Sequence, residues 1–280
     1  MLHIATVHWN NDDWIDIQLS FLRRHITVPY RVYAFLNGVS PDHARKFHYS
    51  SREPIREHAV KLNLLADVIR SESEDDRDLV LFLDGDAFPI ADIMPLVSEK
   101  LASHPLVAVQ RLENNGDRQP HPCFCVTTVG FWKAIGGDWR EGHTWPDRSG
   151  KPVTDVGGNL LGILERRQVG WHPLLRSNGT NLHPLWFGIY GGVVYHHGAG
   201  FRPDKVSRAD LAELERSAKE GPVLARGAAR LLDYALRKSP LAALRGQTRV
   251  RRASERNRRL GDAFMERIRR DPEFYRALLD

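Results

Sequence analysis

Asp84 and Asp86 stand one glycine apart at the end of a continuous apolar run, Leu79-Val80-Leu81-Phe82-Leu83-Asp84-Gly85-Asp86-Ala87-Phe88-Pro89. Five apolar residues in succession predict a strand buried on both faces. If the backbone stays extended past Leu83, side chains two apart share a face and the carboxylates converge. Gly85 leaves room for a ligand to approach the main chain closely. Two carboxylates at the carboxyl end of a buried strand make a hard, oxygen-rich site suited to Mg²⁺ or Mn²⁺ carrying a diphosphate. Open α/β sheets bind ligands at that end of their strands. A polar turn after a core strand would use the same residue types, so the surroundings decide.

The apolar lead, the acidic pair and the Ala87-Phe88-Pro89 exit resemble the Asp-x-Asp segment of GT-A glycosyltransferases, family 2-like or related. The resemblance implies a hexosyl- or related transferase that uses a nucleoside-diphosphate sugar and a divalent metal, Mn²⁺ or Mg²⁺. In many such enzymes a histidine well downstream adds a metal ligand. Val193-Val194-Tyr195-His196-His197-Gly198-Ala199-Gly200-Phe201-Arg202 offers one at the end of an expected strand. Adjacent strand residues face opposite ways, so one of the two histidines is expected at the metal. His197 is the first choice and His196 the alternative, because His-x-x-Gly followed by a basic residue resembles the C-terminal metal-binding segment of some GT-A families. The register departs from theirs by one at the basic position. Arg202 is expected to neutralise charge on the leaving diphosphate.

By the same analogy Thr6, His8 and Trp9, at the end of the first strand, line the base pocket, and Asn37 ends the second. His58, Lys61 and Asn63 occupy the helix before the acidic strand, where the family often puts a basic residue and an asparagine against phosphate and base. His58 and Lys61 are three apart and share a helical face. Asp84 is expected at the ribose or a metal-bound water, with Asp86 and the histidine on the metal. For an inverting reaction Asp155, in Pro152-Val153-Thr154-Asp155-Val156-Gly157-Gly158-Asn159, is the expected base and Asp138, in Gly136-Gly137-Asp138-Trp139, the second candidate. Retaining enzymes need no such base, and the stereochemistry stays open. Trp139, Trp145, Trp171 and Trp186 are expected on the acceptor side, where aromatic faces stack on sugars. The acceptor itself, a glycan, a lipid-linked sugar or a small molecule, is not named by the sequence.

The elements that would position these groups follow from apolar spacing. Residues 3–8 and 30–36 predict strands, with a helix over 13–25 between them. That order implies a right-handed parallel crossover. Residues 51–71 predict a second helix and 79–83 the acidic strand, completing a doubly wound, nucleotide-binding half over 1–110. Beyond it, 94–103 predicts a helix, 106–110 and 124–129 strands, 136–152 a loop, 155–167 a helix and 192–195 a strand. These make an acceptor and metal half over 111–205. The order of elements predicts an α/β class with a mostly parallel central sheet flanked by helices, and the resemblance implies its GT-A (Rossmann-like) form. From 206 to 280 the chain reads as a basic helical appendage interrupted at Gly221-Pro222 and Ser239-Pro240, with a helix over 260–279.

At 280 residues the chain accommodates one large α/β domain plus an appendage. Residues 201–280 carry 20 Lys and Arg against 12 Asp and Glu, a net +8, and the rest carries −3. A near-neutral body with a basic tail argues against a nucleic-acid binder. Arg249, Arg251, Arg252, Arg256, Arg258 and Arg259 suit peripheral contact with anionic lipid or a helix of a homo-oligomer. No apolar stretch reaches the length of a membrane span and the N-terminus has no signal-like pattern, so a cytoplasmic location is expected, at the inner face of a membrane if the tail binds lipid. Cys123 and Cys125 are expected as buried free thiols on one strand face. The sequon Asn178-Gly179-Thr180 is then coincidence. A nucleotidyltransferase would open with a glycine-rich loop where this chain has Trp9-Asn10-Asn11-Asp12-Asp13. A non-catalytic sugar-binding or scaffold protein on the same fold is the remaining alternative.

Overall fold

The β-branched and aromatic runs between residues 2 and 174 pair into one seven-stranded sheet. A computed structural model describes residues 1–198 and 242–280. Two units are distinguished, Met1–Phe201 with Tyr275–Asp280, and Arg202–Phe274. The boundary expected at 205/206 and the interruptions at Gly221-Pro222 and Ser239-Pro240 lie outside the described residues.

In the first unit the strands are β1 (Leu2–Trp9), β2 (Tyr30–Asn37), β3 (Tyr49–Ser51), β4 (Leu79–Asp84), β5 (Ala87–Pro89), β6 (Leu106–Val109), β7 (His121–Thr128), β8 (Trp145–Pro146), β9 (Pro152–Val153), β10 (His172–Leu174), β11 (Gly188–Tyr190) and β12 (Val194–His196). The helices are α1 (Asp13–His25), α2 (His58–Glu72), α3 (Met94–Leu101), α4 (Val129–Ile135) and α5 (Gly158–Arg166). The main sheet runs β10-β6-β7-β4-β1-β2-β3, and β7 alone is antiparallel to its neighbours. A small sheet, β11-β12-β5, stands beside it. The fold is α/β with a mostly parallel sheet between two helical layers.

The acidic strand alternates between two cores. Leu81 and Leu83 pack with Ile15, Leu19 and Leu22 of α1, whereas Val80 and Phe82 pack with Leu62, Leu65 and Ile69 of α2. This explains the unbroken apolar run, since neither face meets water. Because β1 is followed by β2 on one side and, after α2, by β4 on the other, the strand order reverses between β1 and β4. That reversal opens a crevice outside the carboxyl ends, here at Trp9 and Asp84.

Several boundaries differ from expectation. Residues 51–57 do not join α2, because Pro54 interrupts the helix and Tyr49–Ser51 instead extends the sheet edge beside β2. Strand β7 begins at His121, and its pairing with β6 jumps from Ala108–Cys125 to Val109–His121. This irregularity breaks the alternation, so Cys123 packs in the α1 core and Cys125 in the α2 core; both are buried free thiols that do not share a face. The helix expected over 260–279 is the end of a helix Ala242–Arg270, which stops before Pro272, and a separate turn of helix Arg276–Leu279. No helix among the described residues is long and apolar enough to cross a membrane.

The acidic turn is tied to the fold by one side chain the sequence did not single out. Gln18, fully buried on α1, donates from Nε2 to the carbonyls of Asp84 and Ala87, both at 2.8 Å, while its Oε1 accepts from Thr6 Oγ1 at 3.1 Å. Gln18→Leu strands two carbonyls and should lower stability by about 2–4 kcal/mol in urea unfolding. A change under ~0.5 kcal/mol would contradict this role.

Candidate functional site

The chain does not stay extended after β4. It turns at Gly85 and Asp86 and returns as β5, which pairs with β12 so that His196 lies opposite Ala87. This pairing carries a histidine to the carboxylates from more than a hundred residues away. His196 Nε2 lies 3.6 Å from Asp84 Oδ2 and 3.5 Å from Asp86 Oδ1. Asp84, Asp86 and His196 offer donor atoms that all fall within 4.8 Å of one another. One ion with bonds of about 2.0–2.6 Å can bridge that spread, so the residues present fit a divalent metal.

The carboxylates are compensated from several elements. His58 Nε2, at the start of α2, is 3.0 Å from Asp84 Oδ1, and His121 Nδ1 is 4.0 Å from Oδ2. Asp86 Oδ2 accepts from the Gly198 N–H at 3.1 Å, and the Asp86 carbonyl accepts from the His197 N–H at 3.0 Å. Gly198 has φ +79, a conformation that costs glycine little and brings its N–H to the carboxylate. Burial pushes the Asp84 pKa up, but hydrogen bonding and charge from His58, then the charges of His121 and His196, outweigh it and hold the group below its ordinary range. Asp86 is likewise raised by burial and lowered further by His196, for a net fall. Both are in the ligand form required of metal-binding carboxylates.

His197, the first-choice ligand, stands apart from this cluster. Its Nδ1 pairs with Tyr195 Oη at 2.9 Å, and its ring packs on Trp14 and Phe187 with centroids at 4.6 and 4.9 Å. Burial lowers its pKa to about 4. Strand alternation puts His196 on the acidic side and His197 in the core.

The expected nucleotide residues divide. His8, Trp9 and Asn37 end β1 and β2 at the crevice, and Lys61 Nζ lies over the Trp9 ring at 4.0 Å. Burial lowers Lys61 to about 8, only partly opposed by Glu57. His8 is buried, its pKa lowered to about 4 mainly by desolvation, and neither ring nitrogen has a well-formed hydrogen bond. Thr6 is a correction, since it faces α1 and Gln18 rather than the crevice. Asn63 is another, because it faces the connection after α4: its Nδ2 donates to Asp138 Oδ1 at 2.7 Å and its Oδ1 accepts from the Trp139 N–H at 3.0 Å. Arg202 lies outside the described residues.

Of the two expected bases, Asp138 is committed to the fold. It accepts from Asn63, from Asn159 Nδ2 at 2.8 Å and from Arg140 Nε at 3.0 Å, and these bonds outweigh desolvation to hold its pKa well below the usual range. Such an acid is a poor proton acceptor at neutral pH. Asp155 is exposed before α5, where its Oδ1 accepts from the Val156 N–H; Gly157, with φ +96, takes the N-cap position instead. Trp139, Trp145 and Trp186 are buried rather than displayed for stacking, with Trp139 packed on Trp132 and Phe82.

Sequence reasoning missed His121 and Arg111. Arg111, at the end of β6, donates from Nη2 to the Leu185 carbonyl at 2.9 Å and lies 3.6 Å from Glu113. Its charge adds to burial in lowering the His121 pKa, and nothing local in the sequence marks either residue.

No protein-family profile and no curated protein matches the chain. Among solved structures it is similar to S. aureus TarS 1-349, at 12% identity over 50% of each chain and TM-score 0.36. It is also similar to the glycosyltransferase GlyE of Streptococcus pneumoniae TIGR4, at 11% identity over 61% of this chain and 44% of that one, TM-score 0.37. A third is the catalytic domain of Drosophila beta1,4galactosyltransferase 7, at 12% identity over 62% and 65%, TM-score 0.39. The chain spans half or less of the TarS and GlyE chains. The class of the fold rests on the sheet order given above.

The two histidines make a direct test. His196→Gln should weaken Mn²⁺ binding at least tenfold in titration calorimetry. His197→Gln should leave it within about twofold while lowering stability by about 1–3 kcal/mol. The opposite pattern would assign the metal to His197.

Proposed function

We propose that this chain is a metal-dependent glycosyltransferase of the GT-A kind, moving a sugar from a nucleoside-diphosphate sugar to an acceptor hydroxyl. The observation that carries the reading is the convergence of Asp84, Asp86 and His196 at the strand-order reversal of the sheet. A Mn²⁺ or Mg²⁺ ion held by these three would supply positive charge to the departing diphosphate. The protein's own groups do the rest. Lys61 offers an ammonium beside the β1 end, and burial keeps it poised to gain from an anion. His8, Trp9 and Asn37 receive the nucleoside. His58 and the Gly198 N–H orient the carboxylates, as outer partners of metal ligands do. Asp155, on its exposed turn, is the carboxylate available to an acceptor in an inverting reaction.

The experiment is thermal unfolding with a panel of nucleoside diphosphates, each with and without Mn²⁺. A nucleotide at 100 times its Kd stabilises by about 2.7 kcal/mol if it binds the folded state alone. A metal-dependent shift for one nucleotide supports the transferase and identifies the donor base. No shift with any nucleotide contradicts it and favours the scaffold reading.

A pH dependence follows from Lys61. Its proton is favoured by a bound diphosphate and is lost from the unliganded protein as pH rises through about 8. Affinity for the nucleoside diphosphate should therefore fall above pH 8 and be steady below it over the range where the nucleotide keeps its charge. Lys61→Met should weaken binding and remove that fall. An unchanged pH profile in the variant would detach Lys61 from the diphosphate.

A further inference from the structure

His121 opens β7, the strand between β4 and β6. Because β7 runs antiparallel to β4, its first residue stands at the carboxyl end of the acidic strand. The ring borders the carboxylate cluster directly. Its Nδ1 lies 4.0 Å from Asp84 Oδ2, and its centroid is 5.7 Å from that of His196.

The backbone fixes what this ring can offer. Beside the irregular pairing with β6, the Cys123 N–H donates to His121 Nδ1 at 3.1 Å. That bond occupies the Nδ1 lone pair, so Nδ1 carries neither a proton nor a metal, and the neutral ring holds its proton on Nε2. Two roles are thereby excluded. Without an Nδ1 proton, the 4.0 Å approach to Asp84 is not a hydrogen bond. A metal on Nε2 would require the proton on Nδ1, pointing at the Cys123 N–H. Burial and the Arg111 charge disfavour a second proton on the ring against the pull of Asp84, and a cation on Asp84 would cancel that pull.

What remains is donation from Nε2. The side chain keeps 13% of its surface open, and Nε2, which no described group engages, is not among the sealed atoms. The order of strands says which part of a ligand it would meet. Along the carboxyl edge run Asn37 of β2, Trp9 of β1, Asp84 of β4 and His121 of β7. A nucleoside against Trp9 and Asn37 sends its diphosphate across the metal that the carboxylates would hold, so the outer phosphate falls on the β7 side. A phosphate oxygen only accepts, and a fixed N–H is the group that matches it.

We propose that His121 binds the outer phosphate of the nucleoside diphosphate through its Nε2–H, on the side of the metal away from the nucleoside. This deepens the transferase reading above and rests on it. The hydrogen bond is held as the phosphate gains charge, and no proton is transferred.

Titration calorimetry tests it on wild type, His121→Leu and His121→Gln. The titrants are Mn²⁺ alone, then a nucleoside monophosphate and the matching diphosphate with saturating Mn²⁺. The base is the one that most stabilises the wild type in thermal unfolding. His121→Leu should bind Mn²⁺ and the monophosphate within about twofold of wild type, and the diphosphate about tenfold more weakly or worse. His121→Gln, whose amide N–H can stand where Nε2–H was, should bind the diphosphate within about threefold of wild type. Equal weakening of both nucleotides, an unchanged diphosphate affinity in His121→Leu, or no recovery in His121→Gln would each overturn the proposal. So would a fall in Mn²⁺ affinity of about tenfold, the mark of a metal ligand or of a partner orienting one.

Should His121→Leu not fold, nitrogen NMR shifts of the wild-type imidazole with Mg²⁺ and each nucleotide decide the matter. A bare Nδ1, with an Nε2–H signal that moves between monophosphate and diphosphate, supports the proposal. A protonated Nδ1, or an Nε2 signal identical with both nucleotides, overturns it. Failure of the wild type to bind any nucleoside diphosphate would instead overturn the transferase reading.

Discussion

Two carboxylates held side by side and largely out of water repel each other and lose hydration, so Asp84 and Asp86 are costly to the fold. Each must find compensation before a metal arrives. The first comes from α2, whose opening residue His58 meets Asp84. The second comes from β12, which pairs with the three residues after the turn and delivers both His196 and the Gly198 N–H. Gln18 then fixes the turn itself by holding the carbonyls on either side of it. Helix, small sheet and turn thus converge on one requirement, and the order of strands is what lets them reach it.

Some of the buried polar atoms without a well-formed hydrogen bond lie at the same edge, while others are on His25, His43, Trp139, Trp145 and Asn257. His8 ends β1, Asn37 ends β2, Arg111 and Gln119 follow β6, and His196 ends β12; each keeps a buried nitrogen or oxygen without a well-formed hydrogen bond among the described residues. Native interiors satisfy nearly all such groups. Those at the carboxyl ends of the strands are ones that a polar ligand bound there would relieve. By contrast the two apolar cores, on either face of β4, are built from aliphatic and aromatic side chains in regular alternation. Stability resides in the layers, and the proposed binding groups lie at the edge.

The α/β class and the acidic strand were legible in the sequence because each is local. The carboxylates converge instead through a turn at Gly85 and Asp86, not through the extended backbone that strand periodicity implied. The run 79–86 contains its own periodicity and its own termination. Boundaries were lost where a proline or a pairing irregularity intervened, as at Pro54 before α2 and at residues 122–124 in β7. The short strands β3, β10 and β11 have three residues each and no period to detect. Site residues were lost for a different reason. Gln18 and Asn63 look like solvent-facing helix residues until the element they meet is known. His196 and His197 are told apart only by the register of β12 on β5. The tryptophans 139, 145 and 186 looked like sugar platforms, yet all three are buried, Trp139 within the α2 core. Thr6 turned inward because β1 is covered by α1 on that face.

The most direct test of the central claim is anomalous diffraction from crystals grown with Mn²⁺ and a nucleoside diphosphate. The account predicts one strong manganese peak bonded to Asp84, Asp86 and His196, with the diphosphate completing its shell and the nucleoside against Trp9. A manganese peak elsewhere, or a diphosphate bound away from these carboxylates, would contradict it.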